Sequence, residues 1–292
     1  MNMEKYIDLH THSIKSDGSM TPSELVRHAK ENGLAAVALT DHDCTDGIKE
    51  ALAEGEKIGI EVVSGVELSA VSSTETHILG YYIDADEKNF KNKMAELLAM
   101  RKKRNEDTAK KLRENGFDIS VEDAKRFCKG SVLGRAHFAR AMVEKGMTGS
   151  VKEAFDKYLG SGKPCYSGQQ LLTPAECVRL INGAGGEAFC AHLHLMRKSD
   201  EELFSFLKEL KKEGLAGIEG YYTEYTEQMH EKYMAMAREL SLIVSGGTDF
   251  HGKMKPHISI GKGFGNLRVP YSVLEGIKEY GRKHENIRKI SK

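Results

Sequence analysis

The chain has 292 residues, of which 40% are apolar, and its 43 basic and 43 acidic side chains balance to a formal net charge of zero. That length accommodates one large domain, or a domain carrying an insertion, around a sizeable core. The charge balance excludes a global field that would draw the protein to long nucleic acid or an acidic membrane.

From the N-terminus, MNMEKYIDLH goes straight into a strand-like pattern with no apolar leader, so no signal peptide is expected. No run of about 18 apolar residues suggests a membrane span. Strand patterns fall at Tyr6–Leu9, Ala35–Leu39, Val62–Val66, Thr76–Tyr81, Glu187–Ala191, Ala216–Glu219 and Leu242–Ser245. Between them, helical patterns fall at Pro22–Asn32, Asp46–Ile58, Asn89–Asn115, Pro174–Ala184, Asp200–Glu213, Glu224–Leu240 and Tyr271–Lys283. Thr21-Pro-Ser-Glu24 and Thr173-Pro-Ala-Glu176 each place a capping Thr before Pro, with Glu at the third helical position. Strands alternating with helices imply an α/β fold with a mostly parallel sheet, open or closed into a barrel. Residues 89–167 break that rhythm. They are helical and charged, with Arg101-Lys-Lys-Arg104, and are expected to form an inserted helical subdomain within a barrel made of 1–88 and 168–292. The five cysteines are scattered with no Cys-x-x-Cys pair, which suits a reducing cytoplasm; Cys190, in an apolar strand, is expected to be buried filler.

The chemistry-bearing residues gather at strand ends. In Asp8-Leu-His10-Thr-His12 the alternation of a strand aims Asp8, His10 and His12 the same way. Asp17 follows in Ser16-Asp17-Gly18. Thr40-Asp41-His42-Asp43 ends the second strand and Gly65-Val66-Glu67 the third. His77 opens the fourth, so an antiparallel course there would bring it to the same end. Ala191-His192-Leu193-His194 ends the fifth, and Gly246-Gly247-Thr248-Asp249-Phe250-His251 ends the last. The carboxyl ends of parallel barrel strands converge on one face. A lone His-x-His is weak evidence, but this many ligand-type side chains on one face point to a shared metal site. Imidazole mixed with carboxylate and without thiolate suits zinc, iron or manganese. Nine candidates exceed the needs of one ion, so two or three ions bridged by Glu67 are expected. Such ions polarise a phosphoryl group and generate hydroxide from water at neutral pH.

These motifs, in this order, resemble the PHP (polymerase and histidinol phosphatase) family, over nearly the whole chain. Gly134-Arg135-Ala136-His137 and Tyr158-Leu159-Gly-Ser-Gly162-Lys163-Pro164-Cys-Tyr166 resemble its nucleotide-acting bacterial branch. The resemblance implies a distorted seven-stranded (β/α) barrel of the PHP type with a trinuclear centre. His10, His12, Glu67 and Asp249 would hold one ion. Glu67, His77 and His192 would hold a second, and Asp17, His42 and His251 a third. It also implies a metal-dependent phosphoesterase acting on small nucleotides: nucleoside 3′,5′-bisphosphates, AMP-like monoesters or the 5′ ends of short oligonucleotides. Histidinol phosphate is the alternative substrate, and a non-catalytic metal-binding regulatory module the alternative of another class. Ala191-His192-Leu193 departs from the family's usual Ala-His-Pro.

For the substrate, Arg135 offers a bidentate fork, Lys163 a point charge and His137 a donor; a solvated helical surface is the plainer alternative. His194 is open to three readings: a spare ligand, a proton donor or a loop residue. The loop reading is preferred because His192 fills the family position. Among Tyr221, Tyr222 and Tyr225, Tyr222 is the candidate to stack on a base, with packing beneath the loops an equal alternative. Asp43 is expected to orient a neighbouring ligand, and His257 lies close enough to the last motif for a substrate contact. The expected partner is a small phosphorylated substrate, with no long nucleic acid and no membrane.

Overall fold

The computed structural model describes residues 4–71, 74–128, 133–168 and 172–290. Among the described residues eight strands form one sheet: β1 (Tyr6–Asp8), β2 (Leu34–Leu39), β3 (Glu61–Ser69), β4 (His77–Tyr81), β5 (Glu187–Cys190), β6 (Gly217–Tyr222), β7 (Ile243–Gly247) and β8 (Val269–Pro270). Their order is β7-β6-β5-β4-β3-β2-β1-β8. β4 is antiparallel to both β3 and β5, and β8 is antiparallel to β1. The other neighbours run parallel. The sheet curls until its two sides meet. Leu9 N–H donates to Gly246 O (3.1 Å), Phe250 N–H to His10 O (3.2 Å) and His12 N–H to Phe250 O (2.8 Å). The result is a nearly closed barrel of β1 to β7, as the resemblance implied. β8 is an addition that two residues, Val-Pro, could not announce.

Helices Pro22–Glu31, Ile48–Ile58, Pro174–Gly183, Glu227–Glu239 and Tyr271–Ile290 pack against the strands. Thr21 and Thr173 make the expected capping boxes, and Ser199 makes a third that caps Asp200–Lys212. Each satisfies two otherwise orphaned donors. Leu25, Val26 and Ala29 of helix Pro22–Glu31 pack on Val37 and Leu39 of β2. The main core joins Ile7, Leu9, Ala36, Ala38, Val63, Leu79, Tyr81 and Phe189 to Leu274 and Ile277 of the C-terminal helix Tyr271–Ile290.

The chain divides into two compact units, Met1–Lys91 with Leu172–Lys292, and Asn92–Leu171. The second has its own core of Leu112, Ile119, Phe138, Met142 and Leu159. It contains helices Val121–Lys125, Arg135–Glu144 and Val151–Ala154, and no strand among its described residues. All five cysteines are free thiols, and burial pushes the Cys190 thiol up. Among the described residues no helix is long and apolar enough to cross a membrane.

The seam between β1 and β7 is tight. A Cβ added at Gly247 would lie 2.4 Å from both Cβ and N of His10 and 2.8 Å from Asp8 Oδ1. The two His10 atoms belong to the backbone or its first carbon and cannot swing aside. Gly247→Ala is therefore expected to cost about 1–3 kcal/mol of stability, read from urea unfolding midpoints. An unchanged midpoint would show that the seam has slack.

Candidate metal centre

Backbone ladders bring the ligands together before any side chain acts. Beyond the formal strand ends, Thr40 N–H reaches Thr11 O (2.9 Å), Glu67 N–H reaches Asp41 O (3.2 Å) and Asp43 N–H reaches Glu67 O (2.9 Å). His42 thus sits directly beside Glu67 in parallel register. Because β4 runs antiparallel, its first residue, His77, pairs with Ser69, the last residue of β3. That puts His77 at the same end as the other ligands.

Asp17 is delivered by a turn. Gly18 N–H closes on Ser13 O (2.9 Å), and a Cβ at residue 18 would lie 2.2 Å from His12 O. The buried Asp41 carboxylate ties this turn to β2, accepting from Ser13 N–H (2.8 Å), Ser13 Oγ (2.7 Å) and Ser16 Oγ (2.6 Å).

All nine expected ligands converge. His10 Nε2 lies 3.2 Å from Glu67 Oε2 and 3.6 Å from Asp249 Oδ1; His12 Nε2 lies 3.3 and 3.1 Å from the same two oxygens. Four ligands at 2.0–2.1 Å from one tetrahedral ion would be spaced by about 3.3 Å, so this quartet matches such a cage. The other oxygen of Glu67, Oε1, is 2.8 Å from His77 Nδ1 and 2.9 Å from His192 Nε2, which are 3.2 Å apart. On the third side, Asp17 Oδ1 is 3.2 Å from His251 Nε2, and His42 Nε2 is 4.0 Å from Asp17 Oδ2. His12 joins that group as well, and the exposed Glu75, which the sequence did not single out, lies with His77 and His192.

The donor atoms fit metal ions better than they fit one another. His10 Nε2, both ring nitrogens of His12, Asp17 Oδ1, His42 Nδ1 and Glu67 Oε2 are buried without a hydrogen-bond partner. Such orphaned groups are costly, and cations at the foci of these clusters remove the cost.

Outside the ligands lies a second ring, and the sequence reading missed its members Glu219 and Lys255. Glu219, fully buried on β6, takes His10 Nδ1 on Oε1 (2.8 Å) and the His192 backbone N–H on Oε2 (2.7 Å). It fixes the His10 tautomer, so that Nε2 presents its lone pair. The signal was available, because Glu219 ends the strand pattern Ala216–Glu219 read from the sequence. Lys255 Nζ (2.6 Å) and Tyr222 Oη (3.0 Å) both donate to Asp249 Oδ2, leaving Oδ1 for the cage. Asp8 is not turned to the ions. It accepts from Thr248 N–H (2.9 Å), Thr248 Oγ1 (2.6 Å), Gly261 N–H (2.8 Å) and His10 N–H (3.2 Å). Asp43 accepts from Ser69 N–H (2.9 Å) and Oγ (3.0 Å), and Ser69 is the register partner of His77. Asp249 and His192 have positive φ, +56° and +23°. For non-glycine residues that is strain held at the site by the surrounding bonds.

The remaining candidates are placed as follows. Tyr222 is buried with its ring against His192 and His194. His194 Nε2 lies 3.0 Å from Glu224 Oε2, and His194 stands outside the ligand groups that the described residues form. His257 is exposed and stacked on Phe264. Arg135, His137 and Lys163 belong to the second unit. Arg135 lies over the Tyr166 ring and donates to Leu159 O, His137 Nδ1 accepts the Gly134 N–H at its own helix start, and Lys163 is exposed.

The PHP domain model matches residues 8–260, the span that carries every ligand. This chain belongs to the PHP family. Among its relatives, a 3′,5′-nucleoside bisphosphate phosphatase of Chromobacterium violaceum is 34% identical over 247 residues, covering 84% of this chain and 87% of its own. The 5′-3′ exoribonuclease Rnm of Escherichia coli is 31% identical over 282 residues, covering 96% and 94%. A solved structure from Bifidobacterium adolescentis, provisionally named a metal-dependent phosphoesterase, superposes with a TM-score of 0.83 at 28% identity, covering 95% of this chain and 96% of that one. The protein is a metal-dependent phosphoesterase, and its His, Asp and Glu clusters are consistent with a multi-metal PHP site.

Two outcomes test this centre. Glu219→Gln keeps the size of the side chain but removes the charge that holds His10 and His192. Metal affinity, from titration with elemental analysis, is expected to fall about 10- to 100-fold; unchanged affinity would make Glu219 a packing residue only. The second concerns protein stripped of metal. Burial lowers the pKa of His12, but Asp249 and Glu67 outweigh it and hold the imidazole at about 9. A raised folded pKa contributes stability below the unfolded value, near 6.5, and that stability fades as pH rises through about 9. The stripped protein should therefore lose thermal stability between pH 7 and 9.5, and more steeply than the loaded protein. Parallel pH profiles would show that protons do not substitute for the ions.

Proposed function

We propose that the chain hydrolyses phosphate esters of small nucleotides, with nucleoside 3′,5′-bisphosphates as the leading substrate class and short 5′-phosphorylated oligoribonucleotides as the second. The observation that carries this reading is Glu67, whose two oxygens face two different ligand groups at 2.8–3.3 Å. A carboxylate so shared suits adjacent ions, and adjacent ions suit displacement at phosphorus. The two curated relatives named above act, by name, on a 3′,5′-bisphosphate and on RNA from its 5′ end. Two or three ions of zinc, iron or manganese match the donor set of imidazole and carboxylate without thiolate.

When bound, such ions supply electrophilic assistance to the phosphoryl group and a nucleophile from water at neutral pH. The protein's part is arrangement. His10, His12, Glu67 and Asp249 form one cage, with His10 locked by Glu219 and Asp249 by Lys255 and Tyr222. His77 and His192 complete a second, and Asp17, His42 and His251 a third. Burial, as the largest influence, pulls the His42 imidazole down to about 3. It is therefore neutral, which is the form that binds a cation. The substrate roles of Arg135, His137 and Lys163 rest on motif resemblance. The neutral net charge favours a local pocket over a track for long RNA.

Phosphate release should be measured with manganese and with EDTA from adenosine 3′,5′-bisphosphate, AMP, a short 5′-phosphorylated RNA and histidinol phosphate. Metal-dependent release from the nucleotides is expected, and EDTA should abolish it. Release from histidinol phosphate alone would replace the substrate class. No release by fully metal-loaded protein would favour the regulatory module.

A further inference from the structure

Phe264 is the most exposed large apolar side chain among the described residues, at 52%. A single exposed phenylalanine is ordinary. This one is not isolated. The His257 ring stacks on it, 5.7 Å between centroids and 22° between planes, and His257 is exposed too. Two flat rings therefore lie together at the surface.

Their mounting is rigid. Between them the chain makes a tight antiparallel turn, in which Ser259 N–H donates to Gly263 O (2.9 Å) and Gly263 N–H to Ser259 O (2.8 Å). Gly263 has φ +56°, and a Cβ there would run into Thr223 Oγ1. Phe264 N–H donates to Thr223 Oγ1 (3.1 Å), and Asn266 Nδ2 to Thr223 O (3.3 Å). Ile258 and Ile260 are buried beneath the turn. A platform held this way loses little entropy when something stacks on it.

The mounting also ties the rings to the metal centre from both sides. Thr223 follows Tyr222, whose hydroxyl donates to Asp249 Oδ2. His257 lies two residues beyond Lys255, whose ammonium donates to that same oxygen at 2.6 Å. The Lys255 side chain is a third exposed. It is a cation at the edge of the cluster. One short stretch thus carries a cation beside the phosphate-handling centre and an aromatic pair further out. Phosphate and base are spaced in the same order along a nucleotide.

We propose that the stacked His257–Phe264 pair is the nucleobase subsite of this phosphoesterase, with the purine or pyrimidine face laid on the rings while the phosphate occupies the metal centre. The subsite rests on the nucleotide reading above and deepens it. Stacking tolerates any base, so the subsite selects for nucleotides over other phosphate esters and not for one base. Tyr222, buried and committed to Asp249, then leaves base recognition to Phe264 and His257.

The test uses metal-loaded full-length protein and non-hydrolysable phosphonate analogues of AMP and of ribose 5-phosphate, titrated by calorimetry. The wild type should bind the base-bearing analogue more tightly. Phe264→Ala should cut that preference by roughly tenfold, the scale of one base–aromatic stack. Phe264→Trp should restore it, and His257→Ala should weaken it to a lesser degree. Equal affinity of the wild type for both analogues, or a preference that survives Phe264→Ala, overturns the subsite. Kinetics with AMP run alongside and report on the reaction separately. A Phe264-dependent preference without turnover would retain the subsite and reject the proposed reaction. Turnover without such a preference would do the reverse.

Discussion

The structure depends on one buried carboxylate. Glu67 lies at the centre of five imidazoles, with Oε2 toward His10, His12 and His42 and Oε1 toward His77 and His192. Burial alone would push its carboxyl up, but the imidazoles packed around it hold it well below the usual range. An anion of this kind, with Oε2 left without a hydrogen-bond partner, has a high desolvation cost. Several elements are arranged around meeting that cost. The ladder between β2 and β3 extends beyond β2 so that His42 stands beside it. β4 reverses direction, which brings His77 to it. The ring closes through Leu9 and Gly246, which brings His10, His12 and Asp249 to it.

Around Glu67, the other buried acids divide the labour. Asp8, Asp41 and Asp43 are satisfied by backbone N–H groups and hydroxyls, and they act as fasteners between strand ends and turns. Glu219 fastens two ligands at once, one by its ring and one by its backbone. Asp249 does both jobs. Lys255 and Tyr222 hold Oδ2, while Oδ1 faces the cage. The positive φ of Asp249 and His192 is the local cost of aiming side chains from the ends of strands into one point.

The same arrangement explains how a chain of zero net charge can handle phosphate. No surface-wide field is required when the groups that would hold the ions are gathered in one small cluster. On the proposal made above, recognition of the rest of the substrate would rest on the stacked rings of His257 and Phe264.

The sequence by itself determined the periodic elements and the inventory of donors. Alternating apolar runs, two Thr-Pro-x-Glu helix starts and nine ligand-type residues, most of them at strand ends, are local patterns, and local patterns survive being read one residue at a time. Even the reversal of β4 was hinted at by His77 opening its strand. What tertiary structure alone decided was which polar side chain faces an ion and which faces a backbone amide. Asp8 and His10 share the alternation of β1, yet Asp8 binds Thr248 and Gly261 while His10 joins the cage. Glu219, Lys255 and Tyr222 gained their roles from partners 209, 6 and 27 residues away. The physical reason is that a carboxylate's role is set by the donors surrounding it in space, and those donors are assembled only when the barrel closes.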